Sequence, residues 1–143
     1  VSLRPSHLGI CVSDVTASMR FWCDGLGFEV AEGYDLDTTM LPGLAPALEV
    51  EAPIVMRSQM IQLADLKIEI ISYTSPPTTG TPSSSRGAVG FTHLSFLHPA
   101  IDEFAQHLVD SGGTILKDTR VNVGIEVVFL ADPDGIRIEL MQG

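Results

Sequence analysis

The chain predicts an α+β fold made of two tandem βαβββ modules. Three observations carry this. Strand-like runs alternate with stretches of helical spacing. One Pro-, Ser- and Thr-rich stretch divides the chain. The order of elements on either side of that stretch repeats.

Ser6 to Val12 (SHLGICV) places Leu8, Ile10 and Val12 on one face and His7, Gly9 and Cys11 on the other, the pattern of a half-buried strand. Ser13-Asp14 offers a helix N-cap, and Val15, Ser18, Met19, Trp22 and Leu26 follow at helical spacing. Gly25 and Gly27 stop that helix, and Phe28 to Ala31 is a short strand. Glu32 to Pro53 is acidic and proline-containing. It is expected to be irregular, with a helical turn around Thr38 to Leu44, and to serve as a lid. Val55 to Leu63 and Leu66 to Tyr73 form a hairpin about a tight turn at Ala64-Asp65.

Ser75 to Gly90 (SPPTTGTPSSSRGAVG) is the linker. Fully stretched it reaches on the order of 50 Å, enough to join modules in one chain or to pass to a second copy. The pattern then restarts. Gly90 to Leu97 is a strand with Phe91, His93 and Ser95 on one face. Pro99 opens a helix carrying Ile101, Phe104, Ala105, Leu108 and Val109, and Gly112-Gly113 stops it. Thr114 to Lys117 is a strand and Asp118 to Val123 a loop. Two apolar runs around Asp132-Pro133-Asp134-Gly135 close the chain as a hairpin. The module boundaries are therefore 5–74, a linker over 75–90, and 91–143 of a single domain spanning 1–143.

The repeat is visible in single residues. His7-Leu8 matches His93-Leu94 at an offset of 86 (93 − 7), and Glu69 matches Glu139 at an offset of 70 (139 − 69). The 16-residue difference falls in the acidic stretch of the first half.

Composition limits the function. The formal charge of −10 argues against nucleic-acid and anionic-membrane partners, which need clustered Lys and Arg. No run approaches the roughly 20 apolar residues of a membrane span, and the N-terminal segment has no signal-like pattern, so a cytoplasmic location is expected. Cys11 and Cys23 form neither a metal motif nor a disulfide framework and are expected as reduced, mostly packed thiols.

In each half the His and the Glu lie on the strand face opposite the Leu/Ile/Val stripe. Paired modules would gather two imidazoles and two carboxylates, a donor set suited to a divalent transition metal with positions left for water or substrate. Arg57, Gln59, Cys11, Ser95 and Met141 are placed on the same faces as candidate substrate contacts. His98 and His107, at and within the second helix, are expected at the surface.

The segments HLGICVSDVTASMRFWCDGLGFEV, KIEIISY, GFTHLSF and ADPDGIRIEL resemble the vicinal oxygen chelate superfamily, which includes glyoxalase I, methylmalonyl-CoA epimerase, extradiol dioxygenases and bleomycin- or fosfomycin-resistance proteins. The resemblance spans nearly the whole chain and is greatest to glyoxalase I-like proteins. It implies that the two modules pair into a partly open mixed β-sheet barrel with helices outside, and that the chain forms a homodimer. By position it makes His7, Glu69, His93 and Glu139 metal ligands for Zn, Ni, Co or Mn. The implied activity is a glyoxalase I-like lyase or isomerase, lactoylglutathione lyase being the reference. It acts by proton transfer through a metal-bound enediolate on a small substrate that chelates through oxygen. Glu139 or Glu69 serves as the base, with Glu139 preferred. An epimerase of acyl thioesters is the first alternative. An extradiol dioxygenase using Fe at His7, His93 and Glu139 is the second; a fourth ligand at Glu69 counts against it. A non-catalytic drug- or metabolite-binding protein is the third. No stretch matches a glutathione-binding segment.

Overall fold

The structure, a computed structural model, describes residues 2–143 and contains two mixed sheets. The elements run β1 (Leu8–Cys11), α1 (Val15–Met19) continued by a π-helical turn (Arg20–Gly25), β2 (Glu29–Asp37), α2 (Leu44–Leu48), β3 (Val55–Leu63) and β4 (Leu66–Ser75). The second half adds β5 (Leu94–His98), α3 (Ile101–Asp110), β6 (Thr114–Ile115), β7 (Val121–Asn122), β8 (Glu126–Ala131) and β9 (Arg137–Gln142). The strand orders are β1-β4-β3-β2 and β5-β9-β8-β6, with β7 also pairing β8. Among the described residues neither sheet closes on itself.

The chain forms two compact units. One holds the chain through Thr16 together with Gly27–Thr79; the other holds Ala17–Leu26 and Gly80–Gly143. The helical segment of the first repeat thus clusters with the elements of the second.

In the first unit β1 runs parallel to β4, with Leu8 opposite Ile68 and Gly9 opposite Glu69. The β3–β4 hairpin turns on Ala64, whose φ is 50°, and sets Met60 opposite Glu69. Ile61, Ile68, Ile70 and Val12 are fully buried, as the apolar stripe requires. The acidic stretch departs from the irregular segment expected for it. Its first part extends β2 to Asp37, and its helix covers Leu44–Leu48 rather than Thr38 to Leu44. The reason is the position of β2 at the sheet edge. There Glu32 and Asp35 can point to solvent and meet Lys67 and Arg57, both at 3.2 Å.

The second unit repeats the topology. β5 runs parallel to β9, with Leu94 opposite Ile138 and Ser95 opposite Glu139. Helix α3 packs on β6, β8, β9 and the π-helical turn. Phe21, Trp22, Leu108, Leu130, Ile138 and Leu140 are fully buried. α3 begins at Ile101, two residues after the Pro99 expected to open it, because the His98 ring nitrogen accepts the Ala100 N–H at 3.0 Å and holds the entry turn. His98 is therefore half-buried and stacks on Phe104 at 4.3 Å, whereas His107 is exposed.

The final turn is built around Asp132. The Gly135 N–H donates to the Asp132 carbonyl at 3.0 Å, and Gly135 takes the positive φ of 94° that this turn requires. The Asp132 side chain is buried (3% exposed) and accepts from the backbone N–H groups of Asp134 (2.9 Å) and Ile136 (2.8 Å). It also accepts from the Trp22 indole N–H at 3.2 Å. Burial pushes its carboxyl above the ordinary value, against the pull of those donors.

Candidate functional site: two histidine–glutamate pairs

Each unit brings one histidine to one glutamate. In the first, His7 Nε2 lies 3.5 Å from Glu69 Oε1. In the second, His93 Nε2 lies 3.4 Å from Glu139 Oε2. Both histidines sit just before the first strand of their unit, and both glutamates sit on the strand paired in parallel with it.

The surroundings of the pairs repeat as well. Ser6 Oγ lies 2.8 Å from His7 Nδ1, and Thr92 Oγ1 lies 2.9 Å from His93 Nδ1. A hydroxyl on Nδ1 fixes the ring and leaves Nε2 as the nitrogen facing the carboxylate. A serine holds the second oxygen of each carboxylate. Ser58 donates to Glu69 Oε2 at 2.6 Å, and Ser95 donates to Glu139 Oε1 at 2.8 Å. These serines come from opposite neighbours. Ser58 is on the antiparallel partner β3; Ser95 is on the parallel partner β5. Gly9 occupies the register position of Ser95 in the first unit, and Val127 that of Ser58 in the second. Each carboxylate thus receives one hydroxyl by a different route.

The glutamates are partly withdrawn from water, with side chains 24% and 16% exposed. Among the described residues neither makes an ion pair with Lys or Arg. Tyr73 shares the face of Glu69; burial, then the charges of Cys11 and Glu69, raise its hydroxyl above its usual range. In the second unit the His93 ring meets the Phe129 ring edge-on at 5.2 Å. Among the described residues no cluster of three or more His, Cys, Asp or Glu side chains forms within either unit.

Several sequence-based placements change. Arg57 and Gln59 do not share the face of Glu69. The two-residue turn pairs even-numbered positions of β3 with odd-numbered positions of β4, so Ser58 and Met60 take that face. Arg57 and Gln59 bond to each other at 2.8 Å on the opposite side, and Gln59 donates to the backbone carbonyls of Ala31 and Met60. Ser95 holds Glu139 as described. Cys11 is exposed rather than packed, with its sulfur 3.9 Å from Thr78 Oγ1, and both cysteines are free. Met141 lies opposite Leu97 and Val127 on the Glu139 side of its sheet. Ser6, Thr92 and Ser58 were not singled out from the sequence. The Ser6-His7 and Thr92-His93 dipeptides, repeated at the offset of 86 (93 − 7), carried a signal for the first two.

The chain is 28% identical over 138 residues to the uncharacterized protein YaeR of Escherichia coli (strain K12), covering 95% of this chain and 93% of that one. A glyoxalase family protein from Bacillus cereus superposes with a TM-score of 0.81 at 18% identity, over 99% of this chain and 95% of that one. The fosfomycin resistance protein FosX from Listeria monocytogenes, solved with Mn(II) and sulfate, gives 0.65 at 16% identity over 100% and 94%. Glyoxalase I from Zea mays gives 0.68 at 16% identity, over 96% of this chain and 43% of that one. No helix among the described residues is long and apolar enough to cross a membrane. A family profile matches residues 4–140, and with the repeated topology it assigns the chain to the Glyoxalase/Bleomycin resistance protein/Dioxygenase superfamily.

Proposed function

We propose that the protein is a divalent-metal-dependent lyase or isomerase that moves a proton on a small oxygen-chelating substrate. His7, Glu69, His93 and Glu139 would hold the metal, two from each module, supplied by one chain or by two copies in a homodimer. The observation that carries this is the duplicated His–Glu pair with a hydroxyl on each Nδ1. Two imidazole nitrogens and two carboxylates that, among the described residues, form no ion pair with Lys or Arg fit Zn, Ni, Co or Mn. A bound metal of this kind supplies Lewis-acid polarisation of a substrate oxygen, which acidifies the neighbouring C–H.

The chain's own groups do the rest. A glutamate oxygen takes the proton from carbon and returns it to the neighbouring position. Ser58 and Ser95 steady the other oxygen of each carboxylate, so that one oxygen of each is directed toward its histidine. Glu139 is the preferred base: it is the less exposed of the two, at 16% against 24%, so water competes less for its oxygens.

The test is metal content of protein purified without chelator, followed by titration with Zn, Ni, Co and Mn. Stoichiometric metal in the wild type, lost in His93→Gln and Glu69→Gln, is the expected result. Solvent deuterium incorporation into candidate 2-oxo and 2-hydroxy compounds then follows the proton. A wild-type chain that takes up no metal from a metal-replete solution sinks the proposal.

A further inference from the structure

The two histidine–glutamate pairs share their hydroxyl partners but not their bracing. In the second unit Phe129 stands opposite Glu139 across the β8–β9 ladder. Its ring meets the His93 ring edge-on, with centroids 5.2 Å apart and planes at 90°. The same ring lies under the Arg137 guanidinium, whose carbon is 4.3 Å from the ring centroid. Arg137 Nε is buried without a hydrogen-bonding partner, so the guanidinium engages the ring with its face and leaves that N–H unused. The backbone beneath the ring is fixed as well. The Phe129 N–H donates to Thr119 Oγ1 at 3.1 Å, and the Phe129 carbonyl accepts from the Leu116 N–H at 2.9 Å.

The first unit lacks this arrangement. Met60 takes the position opposite Glu69 that Phe129 takes opposite Glu139. Lys67 precedes Glu69 by two residues, as Arg137 precedes Glu139, but it turns to Glu32 at 3.2 Å. A flexible thioether chain offers no ring, and among the described residues His7 makes no ring contact. Exposure follows the same order. The His7 side chain is 38% exposed against 30% for His93.

A ring already held in one rotamer loses little freedom when it ligates, whereas a free ring must be ordered at that moment. We propose that Phe129, held by Arg137, is a positioning residue for the His93 ring, so that His93 and Glu139 are the pre-ordered half of the donor set and His7 and Glu69 the half ordered on binding. The metal side of this statement rests on the function proposed above; the restraint on the His93 ring does not.

Imidazole ¹³C relaxation in the metal-free full chain reads the restraint. In wild type the His93 ring should be rigid and the His7 ring mobile on the ps–ns timescale, a comparison that needs no variant. Phe129→Leu should make His93 as mobile as His7, and Phe129→Tyr should restore its rigidity. Met60→Leu should leave both rings unchanged. Titration with Zn against a chromogenic chelator reads the consequence. Phe129→Leu should weaken Zn binding about 10-fold or more, the scale of a lost outer-shell partner, and Met60→Leu should bind as wild type does. Arg137→Lys keeps the charge that a metal ion feels but loses the flat guanidinium, so it should weaken binding about 2- to 5-fold, the scale of a cation–π contact. Trp22 fluorescence in urea checks that each variant is folded. A wild-type His93 ring as mobile as His7, a His93 ring that Phe129→Leu leaves rigid, or equal losses of Zn affinity in Phe129→Leu and Met60→Leu overturn the positioning role. The two proposals fail separately. A rigid, Phe129-dependent His93 ring in a chain that takes up no metal supports the positioning role and sinks the metalloenzyme, and metal uptake with two equally mobile rings does the reverse.

Discussion

Asp132→Ala removes the carboxylate that ties the last hairpin to the helical segment. Three donors lose their acceptor: the backbone N–H groups of Asp134 and Ile136 and the indole N–H of Trp22. The two turn amides lie in a half-buried loop and can turn partly to water. Trp22 is fully buried, so the loss of this acceptor costs about 1–3 kcal/mol. Two lost bonds to a charged acceptor add about 1.5–3 kcal/mol each before the carboxylate's own desolvation is relieved. The net expectation is a loss of about 3 kcal/mol. Asp132→Asn keeps one oxygen for the turn amides but turns an amide toward the indole, for a loss of about 1–2 kcal/mol. Trp22 is the only tryptophan, so urea unfolding followed by its fluorescence reads the affected contact directly. The pH dependence has a definite sign. Burial raises the folded-state value above the unfolded one, so the folded state holds the proton more tightly. The contribution of Asp132 is fullest below the unfolded value of about 3.9 and declines as pH rises through the folded value. The advantage of wild type over Asp132→Asn should therefore narrow as pH rises from about 4 toward neutrality. Asp132→Ala within about 0.5 kcal/mol of wild type, or an advantage that widens with pH, would refute this account of the turn.

Three further outcomes follow from the geometry. Ser58→Ala and Ser95→Ala each free one carboxylate oxygen and should weaken metal binding about 10-fold, measured by competition with a chromogenic chelator, with little change in stability. A Cβ at Gly113 would meet Phe21 at 2.5 Å and the Leu108 carbonyl at 3.0 Å, so Gly113→Ala should lower the denaturation midpoint by the equivalent of about 1–3 kcal/mol. Ile68→Ala and Ile138→Ala empty fully buried, register-equivalent positions opposite Leu8 and Leu94, and each should lose about 2–5 kcal/mol in the same assay.

How far the residues alone reach can be judged at Glu139. Its strand alternates cleanly, with Ile138 and Leu140 fully buried, so the face of the glutamate was legible. Its histidine was legible through the repeat, because Gly9–Glu69 and Ser95–Glu139 are the same register position in two sheets. Ser58 was not legible in this way. Its face depends on the parity that a two-residue turn imposes across β3 and β4, and alternation within one strand does not carry that information. The helix at 15–25 shows a different limit. Its spacing announces a buried stripe, of which Ser18, Trp22 and Leu26 are buried and Val15 and Met19 only half-buried, while Phe21, outside the stripe, is fully buried as well. An amphipathic stripe does not say which sheet it will cover, and the segment clusters with the second unit rather than with the strands that flank it in sequence. That placement gives Asp132 a second task. The residue that shapes the turn ahead of Glu139 also receives the N–H of a tryptophan 110 positions earlier, so a long-range bond steadies the register on which the site depends. A slip of one residue at that turn would carry Glu139 to the buried face and bring Ile138 or Leu140 to His93.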